Sequence, residues 1–173
     1  MIVKLTGSTS FLVALFLFSL CENFAAYDVH HKILAPFVKI GDGHYFIERN
    51  LQKNWFDAYE SCRRLQAELI TLETEDELRL VSKYLTQNNI FDRYWTSGTD
   101  LSEQGKHVWF SNGQPLSSKL WYSGEPNNKK KKEHCDELGN RIKDNPGMND
   151  LDCNSKIGYI CEIHSEEHCS HGH

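Results

Sequence analysis

Six cysteines constrain this chain more than any other feature, and they stand at positions 21, 62, 135, 153, 161 and 169. An even count invites three disulfides, provided that all six share one oxidising compartment. The N-terminal segment decides that question. Lys4 supplies a positive charge, and Phe11 to Leu20 is an almost unbroken apolar run of ten residues. A membrane-spanning helix needs roughly 20 such residues. The run instead has the length of a secretory signal h-region and is followed by small residues. Cleavage is expected between residues 21 and 26, after Cys21, Ala25 or Ala26. Residues 1–25 are therefore read as a signal peptide that carries Cys21 away, which leaves a secreted, extracellular chain with five cysteines. No later segment is long and apolar enough to insert in a membrane.

The 173 residues suit one domain, and 39% hydrophobic with 12% aromatic residues suits a packed core. A net charge of −5 speaks against a nucleic-acid partner, which usually selects a basic surplus. Residues 26–35 read as a short mature leader. Phe37–Ile40, the turn Gly41-Asp42-Gly43 and His44–Glu48 then predict a β-hairpin. Asn54 precedes Trp55, Ala58, Tyr59, Cys62 and Leu65, which places one apolar stripe on a capped helix. Leu69–Leu72 predicts a short strand. Thr74 with Glu77 is a capping-box pattern opening a second helix, with Leu78, Val81, Tyr84 and Leu85 inward, that ends near Asn88-Asn89.

After residue 90 the pattern changes to short aromatic runs between Gly, Asn, Ser and Pro: Tyr94–Gly98, Val108–Phe110 and Leu120–Tyr122. These predict short strands joined by long loops. Lys156–Ile163 is the last clear strand, with Ile157, Tyr159 and Cys161 on one face. The order of elements is α+β, two helices first and a loop-rich sheet afterwards. Trp95 and Trp109 are expected in the core.

Glu125, Asn127, Glu133, Asn149 and Asp150 gather oxygen-bearing side chains around one loop. Ca²⁺ takes 6–8 oxygen ligands of this kind, and three clustered carboxylates repel one another without a cation. On residue types alone, a solvated acidic loop accounts for them equally well. Spacing separates the two readings. The strings Trp121-Tyr122-Ser123-Gly124-Glu125-Pro126-Asn127, Glu133-His134-Cys135, Asn149-Asp150-Leu151-Asp152-Cys153 and Tyr159-Ile160-Cys161-Glu162 resemble the C-type lectin family over residues 36–163. The nearest resemblance is to short-form, secreted insect members, some of which act in humoral and haemocyte defence.

That resemblance implies the fold and the chemistry. The fold would be the α+β C-type lectin fold, with two helices, a mostly antiparallel loop-rich sheet and the disulfides Cys62–Cys161 and Cys135–Cys153. Residues 36–163 would form the carbohydrate-recognition domain. Glu125, Asn127, Glu133, Asn149 and Asp150 would ligate one Ca²⁺ and contact the sugar, next to a cis peptide at Pro126. Two vicinal sugar hydroxyls would bind the ion. The Glu125-Pro126-Asn127 order implies mannose-type hydroxyl pairs, with galactose-type binding as the variant reading. The expected partners are glycans on microbial or host cell surfaces, in innate immune recognition, agglutination or haemocyte encapsulation. An interaction protein that binds a protein partner without sugar activity is the rival. No enzyme is expected, since a glycosidase needs two carboxylates flanking a scissile bond.

Several residues depart from the family pattern or fall outside it. Met148 stands where the family usually has Trp, and either packs under the loop. Asn128 and His134 hold positions that are often acidic where a second Ca²⁺ binds, so one ion is expected; Asp100 and Glu103 are the residues left for a second. Lys129–Lys132 reads first as a solvated loop and second as an aid to binding anionic glycans. The tail, residues 164–173, carries His164, His168, His171 and His173 around Cys169. A flexible polar tail and a Zn²⁺ or Cu²⁺ site are its two readings. Cys169 is left free, capped, or available to join a second copy as a homodimer.

Overall fold

The computed structural model describes residues 37–139 and 146–163. The signal, leader and tail readings therefore lie outside the described residues, as does Cys169. Strands β1 (Val38–Ile40) and β2 (Gly43–Lys53) form the expected hairpin. Helix α1 (Trp55–Arg64) follows, capped by the Asn54 side chain, which accepts from the Asp57 N–H at 2.8 Å. After β3 (Glu68–Leu69) comes helix α2 (Glu75–Gln87), where Thr74 Oγ1 accepts from the Glu77 N–H. The box closes one residue early: Glu77 Oε2 accepts from the Glu73 N–H, while its Oε1 accepts from the Tyr45 hydroxyl. The Glu77 carboxylate thus caps the helix and pins it to β2.

Strands β4 (Arg93–Thr99), β5 (Val108–Trp109), β6 (Glu133–Gly139), β7 (Gly147–Asp152) and β8 (Ile157–Ile163) complete the sheet. Its order is β1-β2-β8-β4-β6-β7, with β3 added to β8 and β5 to β4. The described pairings are antiparallel except β4 with β8. Two expected strands turned out otherwise. Only Glu68–Leu69 pairs as a strand; Ile70 then bridges two others, donating to Ile160 and accepting from the Ser97 N–H. Leu120 ends a 3₁₀ turn, Ser118–Leu120, and Trp121 and Tyr122 meet Met148 through a single bridge and a 3.0 Å hydrogen bond.

Two apolar clusters hold these elements. One packs α2 against the sheet through Leu78, Val81, Leu85, Tyr94, Trp109, Leu138, Met148 and Ile160. The other packs α1 through Trp55, Ala58 and Cys62 against Leu69, Trp95 and Tyr159. Both disulfides lie in the second cluster: Cys62–Cys161 ties α1 to β8, and Cys135–Cys153 ties β6 to the segment after β7. Trp55 and Trp95 are buried with their indole N–H groups satisfied by the carbonyls of Thr96 and Lys53. Among the described residues no helix is long and apolar enough to cross a membrane.

The sheet end formed by β6 and β7 positions the loop before them. Tyr122 lies across both strands, and a Cβ added at Gly139 or Gly147 would stand 2.8 or 2.7 Å from its ring. Its hydroxyl donates to the Gly139 carbonyl, its N–H to Met148, and its carbonyl accepts from the Glu125 N–H. The loop from Gly124 onward therefore starts from a fixed anchor.

Candidate functional site

Asp150 is the hub of the loop. It is fully buried on β7, opposite Asp136 of β6. Its Oδ1 accepts from the Asn127 N–H at 3.0 Å and its Oδ2 from the Asn128 N–H at 2.6 Å. The Glu125–Pro126 peptide is cis. Asn127 Nδ2 donates to Glu125 Oε2 at 2.5 Å, so these two side chains lie together. Asn128, in the left-handed region at φ 42°, turns the chain back. Its Oδ1 accepts from the Glu133 N–H, and Glu133 Oε2 accepts from the Lys129 N–H at 3.0 Å.

Electrostatics marks the same group of residues. Burial, the neighbouring Asp150 and the charge of Glu133 hold the Glu125 carboxyl above its ordinary range. Burial likewise raises Glu133, with Asp150 adding to it, although the Lys129 N–H pulls the other way. The carboxylates are thus close enough to feel one another. They do not converge into a closed cage: among the described residues no three His, Cys, Asp or Glu side chains stand as a metal-holding group. Asp150 and Glu133 face loop N–H groups instead. The donor set, three carboxylates and two amides, is all oxygen and fits a hard cation such as Ca²⁺.

Asn149 is placed differently from the other four. Its Nδ2 donates to Glu137 Oε1 at 3.1 Å and to the Asp150 carbonyl. Glu137 is fully buried and is gripped by Arg93, whose Nε and second guanidinium nitrogen reach both carboxylate oxygens. An Arg93–Glu137 pair therefore stands behind the Asn149 amide. Sequence reasoning missed both residues. The available signal was Asp136-Glu137, two charges inside a strand otherwise destined for burial, which demand buried partners.

A second buried polar group lies alongside. Asp100, 2% exposed, accepts from the Gly105 N–H and meets His134 Nδ1 at 2.8 Å, with His107 Nε2 3.7 Å away. His107 Nδ1 lies 2.9 Å from Asp136 Oδ1. Burial pushes Asp136 up to about 6, with His107 opposing the rise. Burial pulls His107 down, but Asp136, Asp100 and Asp150 together outweigh it and leave it raised. Glu103 is not part of this group: its carboxylate pairs with Lys106 at the surface, 2.7 Å away. The Glu103 N–H donates to the Asp100 carbonyl at 3.1 Å, but the two carboxylates take separate partners. Met148, fully buried, packs in the first core cluster beneath the loop, as expected of either residue at that position. Trp121 packs edge-on to His107 at 4.8 Å.

Comparison with known proteins gives a consistent result. The model of the family described as Lectin C-type domain matches residues 51–163. "C-type lectin 37Da" of Drosophila melanogaster is 37% identical over 142 residues, covering 78% of this chain and 75% of that protein. "C-type lectin 37Db" of the same species is 34% identical, covering 73% of this chain and 81% of that protein. Among solved structures, the mouse scavenger receptor C-type lectin carbohydrate-recognition domain superposes with a TM-score of 0.64. It shares 23% identity and covers 76% of this chain and 95% of its own.

Proposed function

The chain belongs to the C-type lectin family, whose domains bind carbohydrate without catalysis, and from that premise we propose that it is a secreted, Ca²⁺-dependent lectin for cell-surface glycans. The observation that carries this reading is the clasp around Asp150. It joins Asn127 and Asn128 to β7, sets Glu125 beside Asn127, and leaves Glu125 and Glu133 within range of the Asp150 charge. A solvated acidic loop has no need of such a clasp.

In this reading Glu125, Asn127, Glu133, Asn149 and Asp150 hold one Ca²⁺. The ion, when bound, supplies coordination positions for two vicinal sugar hydroxyls. The chain supplies the hydrogen bonds: Glu125 and Glu133 accept from those hydroxyls, and the Asn127 and Asn149 amides donate to them. The order of acceptor Glu125 before donor Asn127 assigns mannose-type hydroxyl pairs. Microbial or host surfaces bearing such sugars are the proposed partners, and agglutination or haemocyte encapsulation is the proposed setting. The signal segment takes the chain out of the cell, and Cys169 is available to join two copies.

A glycan array probed in Ca²⁺ and in chelator, with wild type and Glu125→Ala, tests this. Binding to mannose-terminated glycans that disappears with chelator and with the substitution is the expected result. Chelator-insensitive binding, or no glycan binding by the wild type, would favour the protein-partner rival. Binding confined to galactose-terminated glycans would overturn the mannose assignment alone.

A further inference from the structure

The lysine run sits inside the candidate sugar site rather than near it. Lys129 follows Asn127 by two positions, and Lys132 immediately precedes Glu133. Any saccharide held between those two side chains has the run beside it. All four lysines are exposed. Among the described residues the ion pairs made by lysine are Lys106–Glu103 and Lys119–Glu75, and none involves the run. Lys129 and Lys132 feel the Glu133 and Asp152 carboxylates, but among the described residues the run makes no close ion pair and sets four consecutive cations in a chain of net charge −5.

The backbone holds this run in a defined shape. The Lys131 N–H donates to the Asn128 carbonyl at 2.8 Å, and the Lys129 N–H donates to Glu133. Asn128, Lys130 and Lys131 all adopt positive φ, at 42°, 58° and 57°. Left-handed backbone costs a lysine roughly 1 kcal/mol or more, and glycine or asparagine would occupy those positions more cheaply. A merely solvated loop gives no reason to place lysine there.

We propose that Lys129–Lys132 form a cationic subsite of the sugar site that selects saccharides carrying sulfate, phosphate or carboxylate groups next to the bound ring. This rests on the lectin reading above and adds a substrate class to it. The run is too short and too local to draw a polyanion on its own; it acts on a ligand already held by the neighbouring residues. Two exposed ion pairs of ordinary strength give about a fivefold preference for the acidic saccharide. That preference weakens as salt shortens the screening length from about 10 Å at 0.1 M to 3 Å at 1 M.

The probes are mannan and galactan, each plain and lightly sulfated, offered to the full chain with Ca²⁺ in 0.1 M and 1 M NaCl. The expected result is about fivefold tighter binding of the sulfated form at low salt, shrinking towards equality at high salt. A quadruple Lys129–Lys132→Gln variant should lose the preference and keep its affinity for the plain polymer, which also reports that it is folded. A quadruple Lys→Arg variant should restore the preference. Equal binding of plain and sulfated polymers by the wild type overturns the subsite and leaves the lectin reading standing. So does a preference that survives Lys→Gln. Sulfated-polymer binding that persists undiminished in chelator, or equal binding to phosphatidylserine vesicles, also overturns it, in favour of general polyanion or lipid attraction. Failure to bind any polymer overturns both proposals.

Discussion

Glu162 offers the sharpest test of the structure itself. It lies on β8 at 8% exposure, next to Cys161 and facing the N-terminal end of α2. Burial, and then the charge of Glu77, push its carboxyl from 4.5 up to about 8, although the Thr71 N–H and the Tyr45 hydroxyl favour its ionised form. The folded chain therefore keeps a proton near neutral pH that the unfolded chain releases. Stability must fall as pH rises from about 4.5 to about 8, and the loss is complete above that window. The gap corresponds to a ceiling of about 5 kcal/mol. That figure is an upper bound, because the surroundings relax around and hydrate the ionised carboxylate. Glu162→Gln keeps the acceptor for the Thr71 N–H and removes the titration. Thermal unfolding from pH 5 to pH 9 should show the variant's advantage growing with pH. Above pH 8 it should reach about 5–15 °C, at several degrees per kcal/mol for a domain of this size. A difference between wild type and variant that stays constant with pH would refute the reasoning.

Other substitutions probe the site and its supports. Glu137→Ala removes the acceptor of the Asn149 amide, and Arg93→Met removes the guanidinium that grips that acceptor; in either variant Ca²⁺ affinity should fall about tenfold or more, as is usual for supporting groups around a metal, and calorimetric titration checks this. Replacing Cys135 and Cys153 by Ser opens a closure of 18 residues. That should cost about 3 kcal/mol in the chain-entropy model, read by denaturant unfolding; losing Cys62–Cys161, with a separation of 99, should cost nearer 4–5 kcal/mol. Exchanging Glu125→Gln together with Asn127→Asp should move preference from mannose towards galactose on an array, and a double variant that keeps Ca²⁺ and its sugar preference would contradict the acceptor–donor argument.

Local chemistry made the first half of the fold readable. Asn54 and Thr74 cap the two helices where their side chains predict it, and the apolar stripes of both face the core. The shape of the hairpin followed from Gly41-Asp42-Gly43 in the same way. Beyond residue 90 the structure depends on partners distant in the chain, and local pattern weakens. Trp121 and Tyr122 look like strand residues, but their partner is Met148, which offers only one bridge and one hydrogen bond. Ile70 was readable as apolar and not as the link between β8 and β4. In the site, the neighbourhood of Glu125, Asn127, Glu133 and Asp150 was anticipated from a resemblance carried by spaced motifs, and no periodicity would have brought them together. The buried supports behind them were not anticipated. Asp136-Glu137 signals a need for buried partners but does not name them, because Arg93 and His107 stand 44 and 29 residues away in the chain.

The central claim is that one loop holds Ca²⁺ and that sugar binds through it. Titration calorimetry tests both halves: CaCl₂ into the metal-free chain, then mannose into the Ca²⁺-loaded chain, for wild type and Asp150→Asn. One Ca²⁺ per chain is expected, with Kd of roughly 10⁻⁴–10⁻³ M, as for extracellular modules. Mannose heat should appear only after loading, and both signals should be lost in Asp150→Asn. Mannose binding without Ca²⁺, or Ca²⁺ binding unchanged by Asp150→Asn, would contradict it.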